Sequence, residues 1–190
     1  MKRLTNTRKP KSGRALITLL VPMTIATFVV MTAIGVLQMS QTAVALEEVK
    51  VSREISAPID KVWNIVSNVD NETKYWPTFK AIKNVNEADN TTEREVTIAA
   101  GPLGDQKTHQ FVTVNPEQFQ VQTNITEGPF TGTRLLTLSP SENNAITLAN
   151  VEWQMDLSGI PVIGQGFAKD GIKQTTEAAL GNIAEEAESK

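Results

Sequence analysis

The chain contains no cysteine and a single histidine, His109, among its 190 residues. Without cysteine it can form neither a disulfide nor a thiolate metal site, and it has no thiol nucleophile. A single histidine also excludes zinc sites that need a histidine pair. The sequence contains no glycine-rich phosphate loop, nucleophile elbow or EF-hand loop. We therefore predict neither a metal ion nor a cofactor.

Acidic residues are missing from the first 45 positions, whereas six basic residues fall within the first 14. Residues 15–37 follow as an uncharged run of 23 residues. As a helix this run is about 34 Å long, enough to cross a hydrocarbon core of about 30 Å. We predict a basic cytoplasmic head over residues 1–14, a transmembrane helix or uncleaved signal anchor over 15–37, and a linker over 38–46. The positive-inside rule then places one folded domain, residues 47–190, outside the membrane.

Signal cleavage is the alternative to an anchor. Ala43, Val44 and Ala45 form an A-x-A cleavage pattern, and four threonines make the uncharged run less hydrophobic. Cleavage after Ala45 would release a secreted protein that begins at Leu46.

Basic residues are scarce after the head. Beyond residue 14 the chain carries 12 basic and 21 acidic residues, a formal net charge of −9. Nucleic-acid binding needs a cluster of lysine and arginine, and no such cluster occurs there. We therefore predict no nucleic-acid partner.

The stretch 51–66 joins a strand to a helix. A β-rich run ends at Ile55, Pro58 cannot donate to a sheet and favours the first helical turn, and Val62, Trp63 and Val66 share one helix face. Together with Tyr75-Trp76-Pro77, this stretch resembles the start of the START-like, polyketide cyclase/dehydrase and lipid-transport superfamily (SRPBCC, birch-allergen-like). The resemblance implies a helix-grip fold that binds hydrophobic ligands.

Alternation of apolar and polar residues predicts seven strands, at 47–56, 79–85, 92–100, 108–114, 119–125, 130–138 and 145–157. Two short helices are predicted between the first two strands, over 60–67 and from 68 to Pro77. Short connections imply antiparallel neighbours. The predicted fold class is α+β, a seven-stranded antiparallel sheet wrapped around a long C-terminal helix, preceded by the transmembrane helix.

The C-terminal helix is predicted from residue 172 onward, with small or apolar residues recurring every three or four positions. Small helix residues opposite large sheet residues predict a cavity between helix and sheet. The residues expected to line it are Phe119, Val121, Trp153 and Met155 from the sheet and Ile172, Thr176, Ala179 and Ile183 from the helix.

Two arginines share the parity of buried strand residues. Arg53 alternates with Val51 and Ile55, and Arg94 precedes Val96 by two positions. A buried cation needs an anion, so either arginine could hold a ligand oxygen. The alternative is a strand-end arginine or a pair with a neighbouring glutamate. His109 follows a glycine-rich turn. An exposed histidine is a simpler interpretation there than a general base.

Three functional hypotheses follow. The first is membrane-tethered, non-catalytic binding or transport of a lipid, isoprenoid or quinone. The second is a polyketide cyclase or dehydratase that uses His109 and an arginine. The third is an extracellular interaction module with a filled core. The shortage of titratable groups favours a protein that is not an enzyme.

Overall fold

The computed structural model of the protein describes residues 46–189. The predicted basic head, the predicted transmembrane segment 15–37 and the A-x-A pattern at 43–45 lie outside these residues. None of the helices within 46–189 combines the length and hydrophobicity needed to span a bilayer.

Seven strands and three α-helices make up the described chain. In order they are β1 (Glu47–Ile55), α1 (Ile59–Val66), α2 (Glu72–Tyr75), β2 (Phe79–Ala88), β3 (Thr91–Ala99), β4 (Asp105–Asn115), β5 (Gln120–Glu127), β6 (Thr131–Pro140), β7 (Thr147–Asp156) and α3 (Val162–Glu188). The prediction of an α+β fold with a seven-stranded sheet and a long C-terminal helix is confirmed.

The strands form one antiparallel sheet in the order β1-β7-β6-β5-β4-β3-β2. Each strand from β2 to β6 is hydrogen-bonded to the next strand in sequence, as short turns allow. The first strand closes against the last, with Val51 opposite Val151. This register places one row of side chains across the sheet on its inner face, namely Val49, Trp153, Arg134 and Thr123.

The C-terminal helix begins ten residues earlier than its apolar periodicity indicates. Pro161 stands at its N-cap and Gly164, Gly166 and Gly171 lie in its first half. These glycines break the amphipathic pattern without stopping the helix, because a glycine inside a helix costs only about 1 kcal/mol.

Packing along α3 is uneven. Its second half buries Thr176, Ala179, Leu180, Ile183, Ala184 and Ala187. Its first half leaves Val162, Ile163 and Phe167 exposed at 85%, 86% and 78%. The helix runs beside the edge strand β1. Lys169 Nζ lies 2.7 Å from Glu47 Oε2 at the start of β1, and the Ser56 amide just after β1 donates a hydrogen bond to Glu188.

Candidate ligand-binding site

Three charged residues meet on the inner face of the sheet and form what we call the charge cluster: Glu72, Arg94 and Arg134. They come from α2, β3 and β6, and they are 7%, 0% and 2% exposed. One carboxylate oxygen of Glu72 accepts a hydrogen bond from Arg94 Nη2 and the other accepts one from Arg134 Nη2. The carboxylate therefore ties the short helix α2 to two strands.

Every nitrogen of the Arg94 guanidinium has an acceptor in the protein. Nη1 donates to the Val69 carbonyl at 3.0 Å, and Nε and Nη2 donate to Gln110 Oε1 at 3.2 and 3.0 Å. Gln110 in turn donates to Thr108 Oγ1 at 2.9 Å. Each guanidinium nitrogen of Arg94 is thus paired within the protein.

Arg134 is only partly paired. Besides Glu72, its Nη2 donates to Thr123 Oγ1 at 2.9 Å. Its Nε and Nη1 are buried and have no hydrogen-bond partner among the described residues. The guanidinium carbon lies 4.2 Å from the ring centre of Trp76 and 5.6 Å from that of Trp153, within the range of cation–π attraction.

The charge cluster carries a net charge of +1. Burial by itself would raise the pKa of Glu72, but the two arginine charges and their hydrogen bonds outweigh burial and lower that pKa. Burial and the repulsion of Arg94 lower the pKa of Arg134, against the attraction of Glu72. Arginine nevertheless stays protonated in proteins, so one positive charge is left without a counterion among the described residues of the cluster.

The predicted lining residues lie in one continuous core. Val121, Trp153, Met155, Thr176, Ala179 and Ile183 are buried, and Phe119 and Ile172 are half-buried against them. Trp153 Nε1 donates to Thr176 Oγ1 at 3.0 Å, which joins the last strand to α3. Their role in ligand binding remains a prediction.

The open space expected opposite Ala179 is absent, and this corrects the sequence-based expectation. Small residues on α3 let the helix backbone approach the sheet closely, so that Ala179 is 0% exposed. A cavity of about 10 Å³ remains beside the charge cluster, lined by Glu72, Arg134 and apolar residues that include Val121 and Ile183. It has room for about one water molecule.

Arg53 is exposed, which fits the strand-end alternative and not burial in the core. It lies on the edge strand β1, and its Nη1 is 3.9 Å from where a side chain at Gly181 of α3 would begin. Arg53 alternates with the buried residues Val51 and Ile55, but no other element of the described chain covers the end of its side chain. The alternation therefore does not predict its exposure correctly. A ligand role for Arg53 or Arg94 remains a prediction.

His109 lies on the outer face of the sheet. Its neighbours Thr108 and Gln110 point inward and are buried, and strand residues alternate between faces. Its Nε2 is 3.0 Å from Glu93 Oε1 and its Nδ1 is 3.2 Å from Thr126 Oγ1. The predicted cyclase mechanism required His109 beside an arginine in the cavity, and this position does not provide that geometry. Within 46–189 no group of three or more metal-ligating side chains comes together.

A sequence profile described as polyketide cyclase / dehydrase and lipid transport matches residues 47–188, most of the chain. The chain belongs to this family. The match confirms the resemblance noted at Val51–Val66, and the chain has the ligand-binding fold of this family. No curated protein is matched by the sequence.

Solved structures with similar folds have low sequence identity to this family member. A protein from Thermus thermophilus is 16% identical with a TM-score of 0.65, over 74% of this chain and 97% of its own. The Zhui aromatase/cyclase of a Streptomyces species is 14% identical with a TM-score of 0.64, over 75% and 94%. A START superfamily protein from Mycobacterium smegmatis is 17% identical with a TM-score of 0.56, over 73% and 92%. These likenesses show the fold alone.

Sequence reasoning missed two members of the charge cluster in this family member. Arg134 alternates with Leu136 and Leu138 on β6, so the parity argument that singled out Arg94 applied to it equally. Glu72 gave no signal, because a helix of four residues is too short to show a buried face.

Proposed function

We propose that this protein binds a hydrophobic molecule, such as a lipid, isoprenoid or quinone, between the inner face of the sheet and α3, without catalysing a reaction. The observation that carries the proposal is the uneven packing of α3. Its second half is fixed in the core, whereas its first half exposes three large apolar side chains. Exposed apolar side chains that are grouped on one element often mark a surface that binds a ligand, a membrane or another protein.

The first half of α3 is also the part that can move at least cost. Gly164, Gly166 and Gly171 lower its helix propensity by about 1 kcal/mol each relative to alanine. Raising it breaks the Lys169–Glu47 ion pair, whose side chains are 43% exposed, and separates the half-buried Ile172 from the core. The Trp153–Thr176 hydrogen bond belongs to the second half and stays in place. Covering about 300 Å² of apolar ligand returns roughly 7 kcal/mol at 25 cal/mol per Å² before ordering costs. The free energy gained by burying a ligand can therefore offset the cost of opening the first half of α3.

We further propose that residues 15–37 hold the protein in the membrane with its folded domain outside. The linker 38–46 spans at most about 30 Å when extended, which would keep the domain close to a source of lipid. Cell fractionation with N-terminal sequencing tests this step. A soluble extracellular protein that begins at Leu46 would instead establish signal cleavage after Ala45.

Crosslinking tests whether the first half of α3 must move. The chain lacks cysteine, so a short bis-thiol reagent reacts only where cysteine is introduced. Glu47→Cys with Lys169→Cys joins the first half to β1 at an existing ion pair. Lys74→Cys with Glu186→Cys joins the second half to α2 at another and serves as the matched control. Native mass spectrometry of the full chain, released from nonionic detergent micelles, measures binding of palmitic acid and methyl palmitate.

We expect the 47–169 crosslink to weaken binding at least about tenfold, equal to about 1.4 kcal/mol, and the 74–186 crosslink to leave it unchanged. Equal binding by both crosslinked forms would show that α3 does not open at its first half. Failure of the uncrosslinked protein to bind either probe would refute the proposed function.

A further inference from the structure

We propose that the hydrophobic ligand carries one carboxylate-type anionic group and that Arg134 binds this group through Nε and Nη1. This inference rests on the proposed function and adds the chemical class of the ligand. It concerns a different residue from Arg53 and Arg94, the two arginines that the sequence pattern favours.

The first argument is the number of donors. An arginine has five N–H groups, and the two on Arg134 Nη2 go to Glu72 and Thr123. The one on Nε and the two on Nη1 meet no acceptor among the described residues, although Arg134 is 2% exposed. Buried donors are almost always paired in folded proteins. The unpaired part of Arg134 is therefore open to an acceptor from water or from a ligand, and charge and position favour the ligand.

The second argument is charge. Arg94 and Arg134 together exceed Glu72 by one positive charge, and all three are buried. A single carboxylate on a ligand would neutralise the cluster, whereas a phosphate dianion would leave it with a net charge of −1. Buried charges are tolerated when they are paired.

The third argument is position. Arg134 lines the cavity of about 10 Å³ together with Val121, Leu136 and Ile183, so a side chain with unpaired donors and an apolar wall border the same space. Contact with Trp76 and the bonds to Glu72 and Thr123 hold the guanidinium in one orientation. The donors are thus already placed for an anionic group whose apolar remainder extends between α3 and the sheet once the helix opens.

Palmitic acid and methyl palmitate test the inference, because they differ chiefly in the negative charge. Native mass spectrometry of the full chain at about pH 8 gives the two dissociation constants. Hydrogen bonds to a charged group correspond to about a tenfold to hundredfold change in affinity. We expect the wild-type protein to bind the acid at least about tenfold more tightly than the ester.

Two lysine variants assign the preference to Arg134. Arg134→Lys and Arg53→Lys both keep the charge, but only the first removes the unpaired Nε and Nη1 donors, because Arg53 is exposed and lies outside the charge cluster. We expect Arg134→Lys to lose the preference for the acid and Arg53→Lys to keep it. Thermal unfolding shows whether each variant is folded, and the wild-type comparison of acid and ester stands even where a variant is not.

The outcomes show whether the inference fails alone or together with the proposed function on which it rests. Equal binding of acid and ester would overturn the inference and leave the proposed function intact. Equal loss of preference in both lysine variants would overturn the assignment to Arg134. Binding of neither probe would overturn both proposals.

Discussion

Replacing Glu72 by glutamine tests how far the charge cluster stabilises the fold. The substitution keeps the size of the side chain and removes its charge, so Arg94 and Arg134 would lie buried without a counterion. Removing one partner of a buried ion pair costs about 3–5 kcal/mol. Glutamine can still accept a hydrogen bond, and we therefore expect the free energy of unfolding to fall by about 3 to 4 kcal/mol.

The dependence of this effect on pH has a definite sign. The pKa of Glu72 is lowered in the folded protein from its ordinary value of 4.5. A lowered pKa means that the carboxylate stabilises the folded state above about pH 4.5, and that this stabilisation is lost as the pH falls through the folded-state pKa. The difference in stability between wild type and Glu72→Gln should therefore be constant near neutral pH and shrink in acid.

Urea unfolding of the full chain, followed by tryptophan fluorescence, measures the change, and Trp76 and Trp153 report directly because they lie against Arg134. Glu186→Gln is the matched control. Glu186 pairs with Lys74 of the same short helix α2, and their side chains are 35% and 61% exposed. Exposed pairs contribute about 0–1 kcal/mol. A Glu72→Gln variant that loses no more than the control would refute the view that the cluster fixes α2 to the sheet.

Three further substitutions are tested by the same measurement. Gly132 has φ +145° and a Cβ there would lie 2.1 Å from the Gln154 carbonyl oxygen, so Gly132→Ala should prevent folding or cost several kcal/mol, about 3 or more. Gly166 lies in α3 with open space around it, and Gly166→Ala should instead stabilise the protein by about 0.5–1 kcal/mol; equal effects at the two sites would contradict this reasoning. Ala179→Trp should destabilise by about 3 kcal/mol or more because the core is filled there, whereas unchanged stability would reveal space for a ligand beside Ala179.

The helices and strands of this protein could be predicted from the sequence because the residue patterns that determine each of them span only a few positions. Alternation along β7 places Val151, Trp153 and Met155 inward, and Pro58 and Pro161 precede two helices whose first turns they favour. The seven strands and their antiparallel order follow from such patterns and from short turns. The largest error is the start of α3, where glycines hide its periodicity, whereas the predicted strand ends lie within three residues of the observed ones.

What the tertiary structure alone decided is which side chains meet. Arg53 and Arg94 show the same alternation in sequence, yet Arg53 lies exposed on the edge strand β1 while Arg94 is covered by α2 and paired with Glu72. The close approach of α3 likewise fills the space that the small helix residues predict. The periodicity of side chains shows which face of a single helix or strand is apolar. Whether a charge on that face is buried, and how large a cavity is left beside it, depends on which other element packs against the face.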